Sequence, residues 1–284
     1  MKKISLSNAS LKNIAYLTML IDHFFVVIFT EIIWQRSMAG YDTGVMSQVY
    51  SVGRLIGRGS FVLFAYLTAE GFIHTRSRLK YLLRLMLFAL VSEVPFDMAF
   101  AGQKIDYSSQ NIFFTLFISV LVLTVWEWMG GNIRRLCCTG TRRDVYWHIC
   151  VGVFRSVQFG AVLLGCGAAY YLKSDYKYMG VLLIFTYYLL RNKPFYVQIV
   201  PVACVMFLGT WSMNMLRYAG DYTTAYLTRF SMRELVGLFA FIPIALYDGT
   251  KGRQLPKVVC YGFYPVHLLV LYGIAQMISV NPTS

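Results

Sequence analysis

Ile14-Ala-Tyr-Leu-Thr-Met-Leu-Ile-Asp-His-Phe-Phe-Val-Val-Ile-Phe-Thr-Glu-Ile-Ile33 is the stretch that decides the fold. At a helical rise of about 1.5 Å per residue, about twenty apolar residues cross the roughly 30 Å of hydrocarbon in a bilayer. Lys2 and Lys3 precede the run as in the n-region of a signal peptide. The run is too long for an h-region, however, and has no small-x-small cleavage site, so it is expected to stay as a membrane span. Further apolar segments lie near 54–73, 80–101, 112–130, 149–171, 178–191, 195–216, 234–247 and 258–279. The expected fold is therefore all-α: a polytopic transmembrane helical bundle of about nine spans, with eight to ten compatible, in one domain over 1–284. The sixth and eighth segments are short and are expected to be tilted or partly re-entrant.

Composition agrees with a lipid-facing exterior. Of 284 residues, 57% are hydrophobic, 17% aromatic and 14% charged, and the mean hydropathy is +0.56. A soluble domain carries about 25% charged residues. The net charge of +13 would suggest nucleic-acid binding in a soluble protein. Here the cations sit mostly in short loops, so nucleic acid is not an expected partner. Fifteen of them (Lys2, Lys3, Lys12, Arg76, Arg78, Lys80, Arg134, Arg135, Arg142, Arg143, Arg191, Lys193, Lys251, Arg253 and Lys257) fall on the N-terminal side. Seven (Arg36, Lys104, Lys173, Lys177, Arg217, Arg229 and Arg233) fall on the other. That asymmetry predicts a cytoplasmic N-terminus and a C-terminus outside. The six cysteines show no CxxC or Cys/His ligand spacing, so no metal site is expected and they read as buried free thiols.

The first three spans hold Asp22, His23, Arg54, Arg58, Glu70, Arg84, Glu93 and Asp97. A charge in hydrocarbon costs about 2.5–3.5 kcal/mol even on the gentle insertion scale, so each needs a partner or a purpose. Asp22 and His23 fall roughly 13–15 Å into their span, near the midplane. Arg54/Arg58 and Glu93/Asp97 are each spaced i,i+4, one pair on each of two adjacent helices in the outer half. They read either as an ion-pair clamp between those helices or as a polar cavity open to the outside. His267, in Tyr261-Gly-Phe-Tyr-Pro-Val-His267, reaches a depth similar to that of His23, and Pro265 frees a backbone carbonyl, which suits a cavity wall. A histidine in such a place serves either as a helix–helix hydrogen bond or as a general base. Lys12 lies eleven residues before His23 and so on almost the same helix face. The run His74-Thr-Arg76-Ser-Arg78-Leu-Lys80, with Arg84, can hold topology and touch anionic lipid, or bind the phosphates of a nucleotide-like donor.

These residues resemble the TraX family of membrane proteins, named for the F-pilin acetylase. The likeness is carried by Met19-Leu-Ile-Asp-His23, Gly53-Arg-Leu-Ile-Gly-Arg58, Phe61-Val-Leu-Phe-Ala-Tyr66, Glu70-Gly-Phe-Ile-His-Thr-Arg76 and Lys80-Tyr-Leu-Leu-Arg84. It continues through Ser92-Glu-Val-Pro-Phe-Asp97, Asn111-Ile-Phe-Phe-Thr115, Asp175-Tyr-Lys-Tyr-Met-Gly180 and Phe263-Tyr-Pro-Val-His267, over nearly the whole chain. The Lys12-x10-His23 spacing is also similar to a motif of acyltransferase family 3, whose Arg-x-x-Arg motif this chain lacks. The resemblance implies transfer of an acetyl group from cytoplasmic acetyl-CoA to the N-terminal amine of a peptide such as pilin, or to a hydroxyl of a glycan. His23 would act as general base, oriented by Asp22, with Arg58 stabilising the oxyanion. Lys12, Arg76, Arg78, Lys80 and Arg84 would hold the donor. Arg54, Arg58, Glu70, Glu93, Asp97 and His267 would face the acceptor. The other reading is a proton-coupled membrane transporter that uses the same Asp, Glu and His groups as a relay.

Overall fold

The computed structural model describes residues 5–139, 145–218 and 220–280, so Lys2, Lys3, Arg142 and Arg143 lie outside the described residues, as do the side chains of Cys137 and Cys138. Among the described residues the elements are helical. They are α1 (Asn8–His23), a π-helical segment (Phe24–Phe29) and α2 (Thr30–Met38), then α3 (Gly44–His74), α4 (Arg78–Ala101), α5 (Ile112–Thr139) and α6 (Val145–Tyr171). After these come α7 (Lys177–Leu189), α8 (Phe195–Tyr218), α9 (Thr224–Met232), a 3₁₀ segment (Arg233–Ala240), α10 (Phe241–Ala245) and α11 (Lys257–Val280). Among the described residues five helical stretches are long and apolar enough to cross a membrane: 8–38, 112–135, 147–171, 195–218 and 257–279. α3 and α4 are also long, at 31 and 24 residues, but carry the charges noted above and turn them inward.

The surface is apolar where a soluble protein's would be polar. Leu163, Leu164 and Val258 are about three-quarters exposed, while Asp97, Asn111, Gln158 and His267 are buried. Bilayer lipid reconciles the two observations, because exposed leucines cost nothing there and backbone polar groups must be satisfied within the helices. This is a membrane protein. Of the cysteines, Cys150, Cys166, Cys204 and Cys260 are free and none is fully buried, which corrects the buried-thiol expectation.

Local chemistry sets the helix ends. The Ser7 side chain accepts from the Ser10 N–H at the start of α1, and Ser77 does the same for Lys80 at the start of α4. α4 stops at Gly102, whose φ of 68° is left-handed. The chain entering α1 is tied to the strand of loop before α11: Leu6 N–H donates to the Leu246 carbonyl (2.7 Å) and Asn8 N–H to that of Thr250 (2.8 Å). The short eighth segment is largely 3₁₀ and changes pitch. Eight 3₁₀ residues advance about 16 Å where an α-helix would advance about 12 Å. There the backbone comes close to α3, since a Cβ on Gly237 would lie 2.8 Å from the Arg58 carbonyl oxygen.

α3 is the hub, packing on α1, α5, α7 and the 3₁₀ segment. Its closest partner is α1, and two glycines one turn apart make the approach possible. A Cβ on Gly53 would stand 2.1 Å from the Phe25 ring, and one on Gly57 would stand 1.9 Å from Asp22 Oδ1. Gly53→Ala or Gly57→Ala should therefore destabilise the protein by about 1–3 kcal/mol, read as a lower thermal unfolding midpoint in detergent. Gly160→Ala, where nothing lies within 4 Å, should hold or slightly raise it.

Candidate functional site

A cavity of about 670 Å³ lies between α1, α3, α4, the first turns of α5, and α11. At the end shared with the N-terminus it is lined by Lys12, Gln254 and Lys257; at the far end by Asp22, Arg54, Arg58, Gln110 and Asp175. His23, next to Asp22 on α1, lines it at about the same depth, with Phe64, Phe96, Phe100, Phe113 and Tyr264 also in the wall. The size and the mostly apolar wall with a few polar groups match small-molecule sites, which run about 300–1,000 Å³.

His23 is the last residue of α1 before the π-helical segment, whose Thr30 N–H reaches back five residues to the Phe25 carbonyl. Its Nδ1 lies 2.6 Å from Nε2 of His267, with the two ring planes 3° apart. His267 Nδ1 lies 2.8 Å from the Phe263 carbonyl oxygen. A carbonyl only accepts, so His267 carries its proton on Nδ1 and presents a bare Nε2. His23 must then donate from Nδ1, and its own Nε2 is left with the free lone pair of a base. The edges of Phe100 and Tyr264 hold the His23 ring in place.

Asp22 has a different partner from the one its sequence neighbourhood suggests. Successive residues point about 100° apart on a helix, so Asp22 faces α3 while His23 faces α11. Arg54 Nη1 lies 2.6 Å from Asp22 Oδ1, and Arg58 Nη1 lies 2.8 Å from Glu234 Oε1 on the 3₁₀ segment. His267, rather than Asp22, orients His23. The clamp between the α3 arginines and the α4 carboxylates is not formed either. Glu93 accepts from the Asn111 side chain, and Asp97 accepts from the Asp106 N–H (2.8 Å). Asn111 Oδ1 in turn accepts from Phe113 N–H, so these two carboxylates secure the 102–111 loop and the start of α5. Glu70 faces His74, one turn along α3 (3.4 Å), and lies outside the cavity lining.

The five residues expected to hold a donor are dispersed. Lys12 lines the cavity mouth, where its Nζ donates to Gln254 Oε1 (2.7 Å). Arg84 stands behind the wall, over the Tyr81 ring. Arg76 and Lys80 are exposed, and Arg78 lies over Phe72 and turns toward Glu127. The run bends away because it spans the end of α3 and the first turn of α4, which point their side chains in several directions.

Nothing in span periodicity points to Asp175, Tyr176, Glu234, Gln254 or Lys257 as site residues. The 172–176 loop folds inward: Thr115 Oγ1 bonds Ser174 Oγ (3.0 Å) and the Asp175 carbonyl, and Tyr176 stacks on Phe61 (centroids 3.7 Å, planes 9° apart). Lys173, Tyr176 and Lys177 all have positive φ, a concentration of costly backbone that needs surrounding contacts to persist. The loop carries Asp175 to the two arginines, and burial pushes its carboxyl up, to about 6. The resemblance already marked Asp175 to Gly180, but a loop residue gave no reason to place it in the site.

A family model described as TraX protein matches residues 7–275. Among curated proteins, the chain is similar to the "Probable fimbrial assembly protein FimC, serogroup H1" of Dichelobacter nodosus. The two are 27% identical over 131 residues, covering 44% of this chain and 48% of that protein. The chain thus matches about half the length of that relative. No solved structure matches it.

Two outcomes follow from the paired charges. Arg58→Ala leaves Glu234 buried and unpaired, a loss of about 3–5 kcal/mol, and adding Glu234→Gln in the same chain should recover most of the lost unfolding midpoint. Asp175, whose carboxyl is raised when folded, favours the folded state at low pH and loses that contribution as pH rises from about 4 through about 6. Asp175→Asn should therefore raise the midpoint relative to the parent at pH 8 and have less effect at pH 4.

Proposed function

The chain belongs to the TraX family, and from that premise we propose that it is a membrane-embedded acetyltransferase. In this reading the N-terminal end faces the cytoplasm of a bacterial inner membrane and the donor is acetyl-CoA. The acceptor is the N-terminal amine of a pilus- or fimbria-related peptide. The family's link to pilin and the fimbrial-assembly name of the relative support that acceptor. One observation carries the chemistry: the cavity that has Lys12 and Lys257 at its mouth reaches His23 and the Arg54–Asp22 pair at its other end.

The residues suit such a donor. Lys12 and Lys257 place two cations at the mouth, where phosphates would rest, and the aromatic wall beyond would cover an apolar arm. Arg76 and Lys80, exposed at the same end, contribute long-range attraction rather than contacts. Bound acetyl-CoA supplies an activated thioester. His23 Nε2 takes the proton of the attacking amine and returns it to the departing sulfur. As His23 becomes charged, its Nδ1–H strengthens the hydrogen bond to His267, which the Phe263 carbonyl keeps in the accepting tautomer. Arg54 and Arg58, held by Asp22 and Glu234, present fixed positive charge toward an oxyanion or an acceptor carboxylate.

With purified protein, labelled acetyl-CoA and a pilin-type N-terminal peptide, thiol release should accompany peptide labelling. An N-terminally blocked peptide should give neither. His23→Ala should slow the reaction about 10²–10⁴-fold in protein that still unfolds cooperatively. Full activity in His23→Ala, or proton-driven solute flux in liposomes without any acetyl-CoA turnover, would overturn the assignment.

A further inference from the structure

A second, smaller pocket of about 160 Å³ sits between α5, α6 and α7, apart from the large cavity. At its centre is Glu127, faced by Arg134 Nη2 (3.5 Å), Arg191 Nη2 (3.8 Å) and Arg78 Nη2 (3.9 Å). Arg155 lines the same pocket. Three guanidiniums thus face one carboxylate, which also accepts from the Tyr188 hydroxyl, and Arg155 adds a fourth cation to the pocket wall, an excess of positive charge that an ion-pair network alone does not call for.

Two of the arginines, Arg155 and Arg191, are held rather than loose. Arg155 donates to Gln158 Oε1 (3.0 Å), and Gln158, itself buried, donates to the Trp126 carbonyl (2.8 Å). Arg191 lies over the Tyr188 ring (4.2 Å) and donates to the Tyr188 carbonyl (2.8 Å). Gly130 keeps the floor open, since a Cβ there would come within 3.3 Å of Gln158 Nε2. Fixed guanidinium planes around a small concavity suit a tetrahedral phosphate oxyanion, which takes several N–H donors at once. The surroundings indicate where that phosphate comes from. Phe159, packed edge-on against Trp126 of the pocket wall, and Trp128 are both about 60% exposed on an apolar face, as at a lipid interface.

We propose that this pocket binds the phosphate of an anionic phospholipid headgroup, at a site separate from the one that carries out transfer. The shared chemistry is a phosphate ester bearing net negative charge, and Glu127 tunes the site by offsetting part of the positive charge.

The test measures the unfolding midpoint of the purified full chain in detergent doped with phosphatidylglycerol, with phosphatidylcholine, or with inorganic phosphate at the same concentration. Phosphatidylglycerol should raise it by at least about 3 °C and phosphatidylcholine should not. A rise with phosphatidylglycerol alone supports the lipid source. An equal rise with inorganic phosphate supports the anion site but overturns the lipid source. The Arg155→Gln/Arg191→Gln variant should lose the rise, whereas Lys193→Gln/Arg253→Gln, which removes equal charge elsewhere at that end, should keep it. Glu127→Gln guards against misfolding in the arginine variant, since it preserves all four guanidiniums and should show at least the parental rise. No rise with either phosphate compound would overturn the proposal. So would a rise retained in the double arginine variant, or lost in Glu127→Gln or in the distal control.

Discussion

Close approach of α1 to α3 is the constraint on which the rest of this molecule depends. Gly53 and Gly57 leave the α3 surface bare on one face, and Phe25 and Asp22 fill the space. Lipid gives helices no hydrophobic reason to associate, so contact of this kind, with backbone near side chain, supplies the packing energy instead. Asp22 is thereby delivered to Arg54, and α1 is rotated so that the next residue, His23, looks toward α11. The π-helical segment begins one residue later, and its wider turn lets Phe25 settle at Gly53 while the helix continues to Met38.

The charges inside the bundle form a chain of obligations. Each of the two α3 arginines has a carboxylate, but the carboxylates come from distant parts of the sequence, α1 and the 3₁₀ segment. A buried pair is weak as a source of stability yet expensive to break, which locks both of those elements to α3. Asp175 adds a second carboxylate to the cavity wall beside Asp22, by way of a loop held in left-handed backbone at Lys173 and Tyr176. Strain of that sort is tolerated where geometry matters, and here it positions an acid beside two cations. The α4 carboxylates serve a separate purpose, tying down the 102–111 loop so that Gln110 and Phe113 complete the cavity wall.

Much was legible beforehand, and for a physical reason. Hydrocarbon thickness fixes how many apolar residues a span needs, so the run from Ile14 to Ile33 announces a membrane helix without reference to anything else. Helical periodicity likewise put Lys12 and His23 on one face, and both line the same cavity. The cost of charge in lipid marked Asp22, Arg54 and Arg58 as residues that need partners. The pairing of Gly53 and Gly57 was visible as well, within a motif noted for other reasons.

Partner choice was decided only in three dimensions. Periodicity assigns a side chain to a face but does not say which helix lies opposite, so Arg58 could be read as the partner of an α4 carboxylate when Glu234 takes that place. The tautomer of His23 depends on a carbonyl at Phe263 and a ring at His267, far along the chain. Asp175 looked like an ordinary loop acid until the loop turned inward, and Arg78 like a donor contact until α5 and α7 set Glu127 before it. The sequence determined that this is a membrane bundle with ionisable groups inside it. Which of those groups meet was left to packing, because small residues and long-range ion pairs, rather than local propensity, choose neighbours in a bilayer.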